Sequence, residues 1–297
     1  MKKKLGLFSG ASLGVLILYS IVLLFFLIWA ITFSLIDYEN EIWWGEGNYF
    51  IFPKAFYWKN YESAFKLFKM TVQSGEEMRP VLFGELMYNS VSYAVCGAFC
   101  NALSPCLMAY VTSRFRFKKF TAVVDAIVLV AMIMPIVGSL PSLMSIVYGL
   151  HLDNTLIGMM VMGFTFTNMY YFIFKGVFHS IPDSYSEAAK IDGAGNFRIF
   201  LTIMLPLVRT TFSSVFVLCF VALWNDYTTA LAFAPQRPTV AYAFYSRMSG
   251  ASPDATNAGY ETVRMAGAMI LMLPILIFYA VGNKFLMGNL TVGGIKG

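Results

Sequence analysis

The sequence predicts an all-α polytopic membrane protein with six transmembrane helices, and three observations carry that prediction. The 297-residue chain is 58% hydrophobic and only 12% charged, where soluble domains carry about 25% charged residues. Its mean hydropathy is +0.67. Apolar runs of roughly 20 residues, the length that crosses a hydrocarbon core, recur along the chain. Lipid admits only helices and closed barrels, because every backbone polar group must be paired internally. Barrel strands would alternate over about ten residues, and these runs do not alternate.

The first run, about 11–36, carries no charge and follows Met1-Lys2-Lys3-Lys4. It is longer than the roughly 7–15 residues of a signal-peptide core and has no clear small-residue cleavage site after it, so it is expected to be a retained helix. Further runs lie near 88–111, 122–148, 155–177, 212–231 and 265–281. Pro135 and Pro141 are expected to kink the third span, and Pro274 the sixth.

The net charge of +5 does not suggest nucleic acid. The bases lie in short clusters beside apolar runs, which is the pattern of membrane orientation. The tight cluster Arg114, Arg116, Lys118 and Lys119 carries most weight, supported by Lys2 to Lys4 and by Lys175, Lys190, Arg198 and Arg209. Both termini are therefore expected in the cytoplasm. The long segment 37–86 then lies outside. It is rich in aromatics such as Trp43, Trp44, Phe56 and Trp58, whose amphipathic rings prefer the membrane interface. A second outer segment, about 232–264, reads as an irregular loop from Pro235, Pro238, Gly250, Pro253 and Gly259.

Few residues point to chemistry. Cys96, Cys100, Cys106 and Cys219 all lie in apolar runs; Cys96 and Cys100 share a helix face, but nothing polar completes a metal site. They read as small hydrophobes, with no disulfide framework. His151 and His179 lie near span ends. No Gly-Lys dipeptide occurs, hence no phosphate-cradling loop, and neither a catalytic nor a metal or cofactor site is predicted. Asn289-Leu290-Thr291 matches a glycosylation sequon in the expected cytoplasmic tail, where it has no meaning. Asp125 is expected near the inner surface within reach of Lys118 and Lys119.

Between the fourth and fifth spans lies a polar island. Ile181-Pro182-Asp183-Ser184 ends the fourth helix, because Pro182 disfavours helix at Ile181. Ser184 and Glu187 have capping-box spacing for a short helix through Ala188, Ala189 and Ile191. Gly193 is placed to end it in the left-handed conformation. Asn196 is placed to cap a second short helix, from Phe197 to about Met204, and Pro206 marks the start of the fifth span. Periodicity alone reads this as an ordinary amphipathic loop.

The full spacing reads further. Glu187-Ala188-Ala189, then Gly193, then Ile203, Leu205 and Pro206 resemble the EAA loop of ABC importer permeases, the MetI-like family. Asn89-Ser90, Ala109-Tyr110, Asn154-Thr155-Leu156, Trp224-Asn225-Asp226 and the ending from Leu290 to Gly297 extend the resemblance over nearly the whole chain, toward carbohydrate-type members related to the inner-membrane subunits of maltose transport. One departure is Thr210, where the family usually has proline.

The resemblance implies residues 1–86 as a helix plus an extracellular aromatic segment, 87–285 as the permease domain with the loop at 182–206, and 286–297 as a cytoplasmic tail. It implies a bacterial inner membrane location, a second homologous permease, two ATPase subunits that hold ATP and magnesium, an extracellular solute-binding protein and a carbohydrate substrate. Glu187, Ala188, Ala189, Asp192, Gly193, Ile203, Leu205 and Pro206 would dock the ATPase. Glu187 and Asp192 would set cap geometry and polar contacts, and the small residues close fit. An intramembrane carboxylate is by default a functional candidate, so Trp224, Asn225 and Asp226 are candidates for the sugar path, against the plainer reading of an interfacial anchor. An ion-coupled secondary transporter would show repeats and paired midplane carboxylates, which are not seen. A non-transport scaffold is the remaining alternative.

Overall fold

The computed structural model describes residues 7–46, 49–50, 52–74, 77–115, 117–134, 138, 140–162, 164–249 and 261–287. Pro135, Arg116, the tail 288–297 and the stretch 250–260 therefore lie outside the described residues. The helices are α1 (Leu7–Ser34), α2 (Lys59–Leu67), α3 (Phe83–Arg114), α4 (Lys118–Ile133), α5 (Leu140–Gly149), α6 (Leu156–Met162), α7 (Met169–Ser180), α8 (Ser184–Ile191), α9 (Asn196–Ile199), α10 (Leu205–Leu207), α11 (Arg209–Trp224), α12 (Thr228–Phe233), α13 (Val240–Met248) and α14 (Glu261–Met287). Two strands, β1 (Met70–Ser74) and β2 (Glu77–Val81), pair within the aromatic-rich segment 37–86.

Three described helices are long and apolar enough to cross a membrane, within α1, α3 and α14. A fourth crossing is reached if the loop helices 196–207 and α11 count as one span bent by 80°. The expected third and fourth spans are each divided, so the count of six is not reached by unbroken helices. Local chemistry explains both breaks. Pro141 sits in the first turn of α5, where its missing N–H costs nothing. Asn168 caps α7 by accepting from the Tyr170 N–H at 3.1 Å, and the hydroxyls of Thr165 and Thr167 bond each other at 2.9 Å. Pro105 and Pro274 lie inside α3 and α14, which continue past them.

The chain forms two compact units. The first comprises 1–70 and 246–273. Its core is Phe33, Ile36 and Ile42, with Trp29, Tyr38 and Met265 against it. Asn60 is buried and donates to the carbonyls of Ser34 at 3.0 Å and Ile36 at 2.8 Å, so the end of α1 has paired backbone.

The second unit comprises 71–245 and 274–297. Its centre is α3, packed against α7 and α11. Ala94, Ala98, Ala102, Cys106 and Ala109 form a fully buried stripe on α3, facing Tyr171, Phe174, Phe178 and Phe220 in one cluster. Small side chains let helices approach closely where no hydrophobic effect drives them together. A Cβ on Gly97 would meet Leu223 at 2.8 Å, and one on Gly282 would meet Val217 at 2.8 Å, so both glycines mark close helix contacts.

Polar residues of the sequence pattern hold the turn after α12. Asn89 donates to the Pro238 carbonyl at 3.0 Å. Ser90 accepts from the Val240 N–H at 2.7 Å, and Asn154 from the Gln236 N–H at 3.0 Å. Arg79 in β2 forks onto Glu85 at 2.8 and 2.9 Å, which raises the guanidinium pKa.

Candidate functional site

The loop between α7 and α11 is built from short helices by local rules. Ile181 is extended, as Pro182 requires. α8 then starts at Ser184 with Asp183 as its cap residue, and no side chain caps it. The expected capping box of Ser184 and Glu187 is thus not formed: Ser184 already lies inside the helix, and the Asp183 carboxylate is held by Arg114. Gly193 ends α8 with φ +79°. Its N–H reaches the Lys190 carbonyl at 3.0 Å, and the Ala194 N–H reaches Ala189 at 2.9 Å. These two bonds make a Schellman motif, as the glycine predicted.

Asn196 is the first residue of α9 rather than its cap, which is Gly195. α9 passes into a π-helical turn, Phe200–Met204, and then α10, which holds Leu205 and Pro206. The chain turns 80° before α11. Thr210, the departure from the family pattern, sits in the first turn of α11, which forms without proline there.

The loop has two faces. Ser186, Ala189, Ile199, Phe200 and Met204 are buried. Glu187, Ala188, Asp192, Gly193 and Pro206 are exposed, and Ile203 and Leu205 are half-buried. Of the two alanines, only Ala188 is presented; Ala189 packs in the cluster that holds Tyr110 and Phe178. Ile191 is 86% exposed and Phe197 71%. These two large apolar groups, which the spacing pattern does not include, extend the presented face.

That face is held from behind. Arg114, at the end of α3, donates to the carbonyls of Phe178 at 2.9 Å and Ile181 at 2.8 Å and pairs with Asp183. Its side chain is only 8% exposed. A guanidinium suits this because its donors lie in a rigid fork. Tyr110 donates to the Asn196 carbonyl at 3.3 Å, and its ring lies 5.1 Å from Phe200 and 5.8 Å from Phe178. The sequence singled out Arg114 for orientation and Tyr110 for resemblance. Their common position in the last turns of α3, four residues apart, was the available signal for a clamp.

Behind the clamp is an ion pair. Asp125 on α4 accepts from Lys175 and from the Tyr171 hydroxyl on α7, and the Tyr171 oxygen lies 3.0 Å from the Thr112 hydroxyl. The expected partners Lys118 and Lys119 are not used. Lys118 lies two turns from Asp125 on the same helix, about 10 Å along the axis, whereas α7 packs alongside α4.

The second candidate region is differently arranged. Trp224 is 2% exposed and stacks on Phe220 at 5.9 Å, which stacks on Phe278 at 3.8 Å. Asn225 donates back to the Val221 carbonyl at 2.9 Å. One Asp226 oxygen accepts from the Thr228 and Thr229 N–H groups at 2.9 and 3.1 Å and from the Thr228 hydroxyl at 2.6 Å. The other accepts from the Tyr93 hydroxyl at 2.8 Å. The carboxylate thus closes the turn into α12 and ties it to α3.

The profile of the family described as "Binding-protein-dependent transport system inner membrane component" matches residues 103–288. Among curated relatives, the inner membrane ABC transporter permease protein YcjP of Escherichia coli K12 is 31% identical over 227 residues, 73% of this chain and 77% of that protein. The melibiose/raffinose/stachyose import permease protein MelC of Bacillus subtilis is 30% identical over 64% of this chain and 68% of its own length. A chain from a crystal structure of a bacterial ABC transporter that imports alginate superposes with TM-score 0.67 at 21% identity, covering 93% of this chain and 95% of that one. That likeness supports the helical permease fold. The chain belongs to the family of inner membrane components of binding-protein-dependent transport systems.

Proposed function

We propose that this chain is one permease subunit of an ATP-driven carbohydrate importer. It pairs with a second, homologous permease to line the path. Two separate ATPase subunits bind ATP and magnesium and drive the cycle, and a solute-binding protein delivers the sugar from outside. Relatives named for melibiose, raffinose and stachyose, maltodextrin and lactose support the substrate class. The clustered bases from Arg114 to Lys119 support a cytoplasmic position for the loop and both termini.

The observation that carries the coupling role is the two-faced loop at 184–207. Its inner face is fixed to α3 and α7, so a push on the outer face is passed to those helices rather than absorbed. Glu187, Ala188, Ile191, Asp192, Gly193 and Phe197 would meet the ATPase, and Ile203, Leu205 and Pro206 would shape the bend into α11. A loop shifts a two-state equilibrium only if docking differs between the states, so the proposal requires that difference, and a clamped loop would pass it on to α3 and α7.

Proteoliposomes holding the whole complex test the proposal. Labelled oligosaccharide should accumulate only with ATP inside and binding protein outside. Uptake driven by a proton or sodium gradient without ATP would refute it.

A further inference from the structure

Two cavities meet at Lys118. One, of about 370 Å³, is polar: Arg114, Lys118, His179, Ser186, Glu187 and Lys190 are on its wall. The other, of about 800 Å³, is lined by Val111, Phe117, Lys118, Lys119 and Phe120, so apolar side chains form its floor with two ammonium groups beside them. Both lie where α3 ends and α4 begins.

The charges are not balanced within the chain. Asp183 is taken by Arg114, leaving Glu187 as the other acid on the polar wall. Among the described residues, Lys118 and Lys119 have no carboxylate partner, and they open α4 with no acid in its first turn and no capping side chain. Cations there oppose the helix dipole, which favours an anion at that end. Arg114 Nε and Ser186 Oγ, both buried, have no hydrogen-bond partner among the described residues. Phe117 and Phe120 are exposed, so their apolar rings are open to an apolar ligand.

We infer that these joined cavities hold an anionic phospholipid, its phosphate at Lys118 and Lys119 and an acyl chain along Val111, Phe117 and Phe120. A free anion accounts for the polar cavity alone. An apolar partner accounts for the groove alone. A phospholipid has both parts in the required order, and basic pockets between membrane helices are known to suit such headgroups. The inference rests on the chain being a membrane component and not on the proposed sugar or ATPase, so it can fail while those stand.

The test uses the full chain purified from mixed phosphatidylglycerol and phosphatidylcholine micelles, with retained lipid counted by native mass spectrometry. Phosphatidylglycerol should be enriched, and Lys118→Gln and Lys119→Gln should each lower the enrichment about five-fold, from the usual worth of one surface lysine. Lys66→Gln, at an exposed position of α2, should leave it unchanged. Glycerol phosphate should not displace the lipid. Equal retention of both lipids, an unchanged ratio in Lys118→Gln, an equal fall in Lys66→Gln, or displacement by glycerol phosphate would each overturn the assignment.

Discussion

The loop at 184–207 and the turn at 224–229 both contain the sequence's most distinctive polar residues, and they use them in opposite ways. At the turn, every strong acceptor of Asp226 is engaged by the chain's own Thr228, Thr229 and Tyr93, and Trp224 is buried. On the loop, the Asn196 carbonyl is held from α3 and Ala189, Ile199, Phe200 and Met204 face inward, while Glu187, Asp192, Ile191 and Phe197 face away from the fold. A polar motif consumed internally makes a joint. One held rigid from behind but left open in front makes a contact surface. The difference is not visible in residue type, since Asp226 and Asp192 are the same residue.

The sharpest way to break this contrast is to change neighbouring loop residues of the same kind on opposite faces. Phe200→Ala empties a buried site and should lower stability by about 3–5 kcal/mol, seen as a lower unfolding temperature of the purified protein. Phe197→Ala should change stability by no more than about 0.5 kcal/mol yet reduce ATP-driven uptake. If the two variants lose stability equally, the two faces are not distinct.

Next is the clamp. Arg114→Ala removes charge-assisted bonds to two carbonyls and Asp183 and should cost about 3 kcal/mol, with faster protease cleavage between α7 and α11. Arg114→Lys should rescue little, because a point charge lacks the fork. Full rescue would show that charge alone suffices.

Asp226→Ala should cost about 2 kcal/mol, read from thermal unfolding, and Asp226→Asn less. A joint predicts that stability falls while the KM for sugar in the remaining active protein holds. Unchanged stability with a raised KM would move Asp226 to the substrate path. The smallest effect is at Gly193, whose φ of +79° costs a side chain about 1 kcal/mol. Gly193→Ala should lower uptake more than that modest loss explains, because it also adds bulk to the presented face. Uptake that tracks stability alone would leave Gly193 as a helix stop.

The sequence made the long elements legible for a simple reason. α1, α3 and α14 are long apolar helices, and window hydropathy detects length. It does not detect the breaks between α4 and α5 or between α6 and α7, where Pro141, Asn168 and the Thr165–Thr167 pair interrupt an apolar run without changing its average. The loop was legible as a spacing, and Gly193 as a helix stop. Its faces were not, because Ala188 and Ala189 are identical neighbours, one exposed and one buried. Arg114 was hidden for another reason: its partners lie 64 to 69 residues away, so the four-residue spacing from Tyr110 marks one jaw of the clamp but not what it holds. Asp125 was paired with the nearest lysines in sequence, whereas packing brought it to Lys175, 50 residues on.

Cross-linking decides most directly whether the open face of the loop is a contact surface for an energy-supplying partner. With the four native cysteines replaced by alanine, single cysteines at Ile191, Phe197 and, as the buried counterpart, Phe200 would be treated with a short bifunctional reagent in the intact complex. The account predicts that Ile191→Cys and Phe197→Cys capture an ATPase subunit, more strongly when ATP is bound, and that Phe200→Cys does not. Capture of no ATPase from either exposed position, in any nucleotide state, would contradict it.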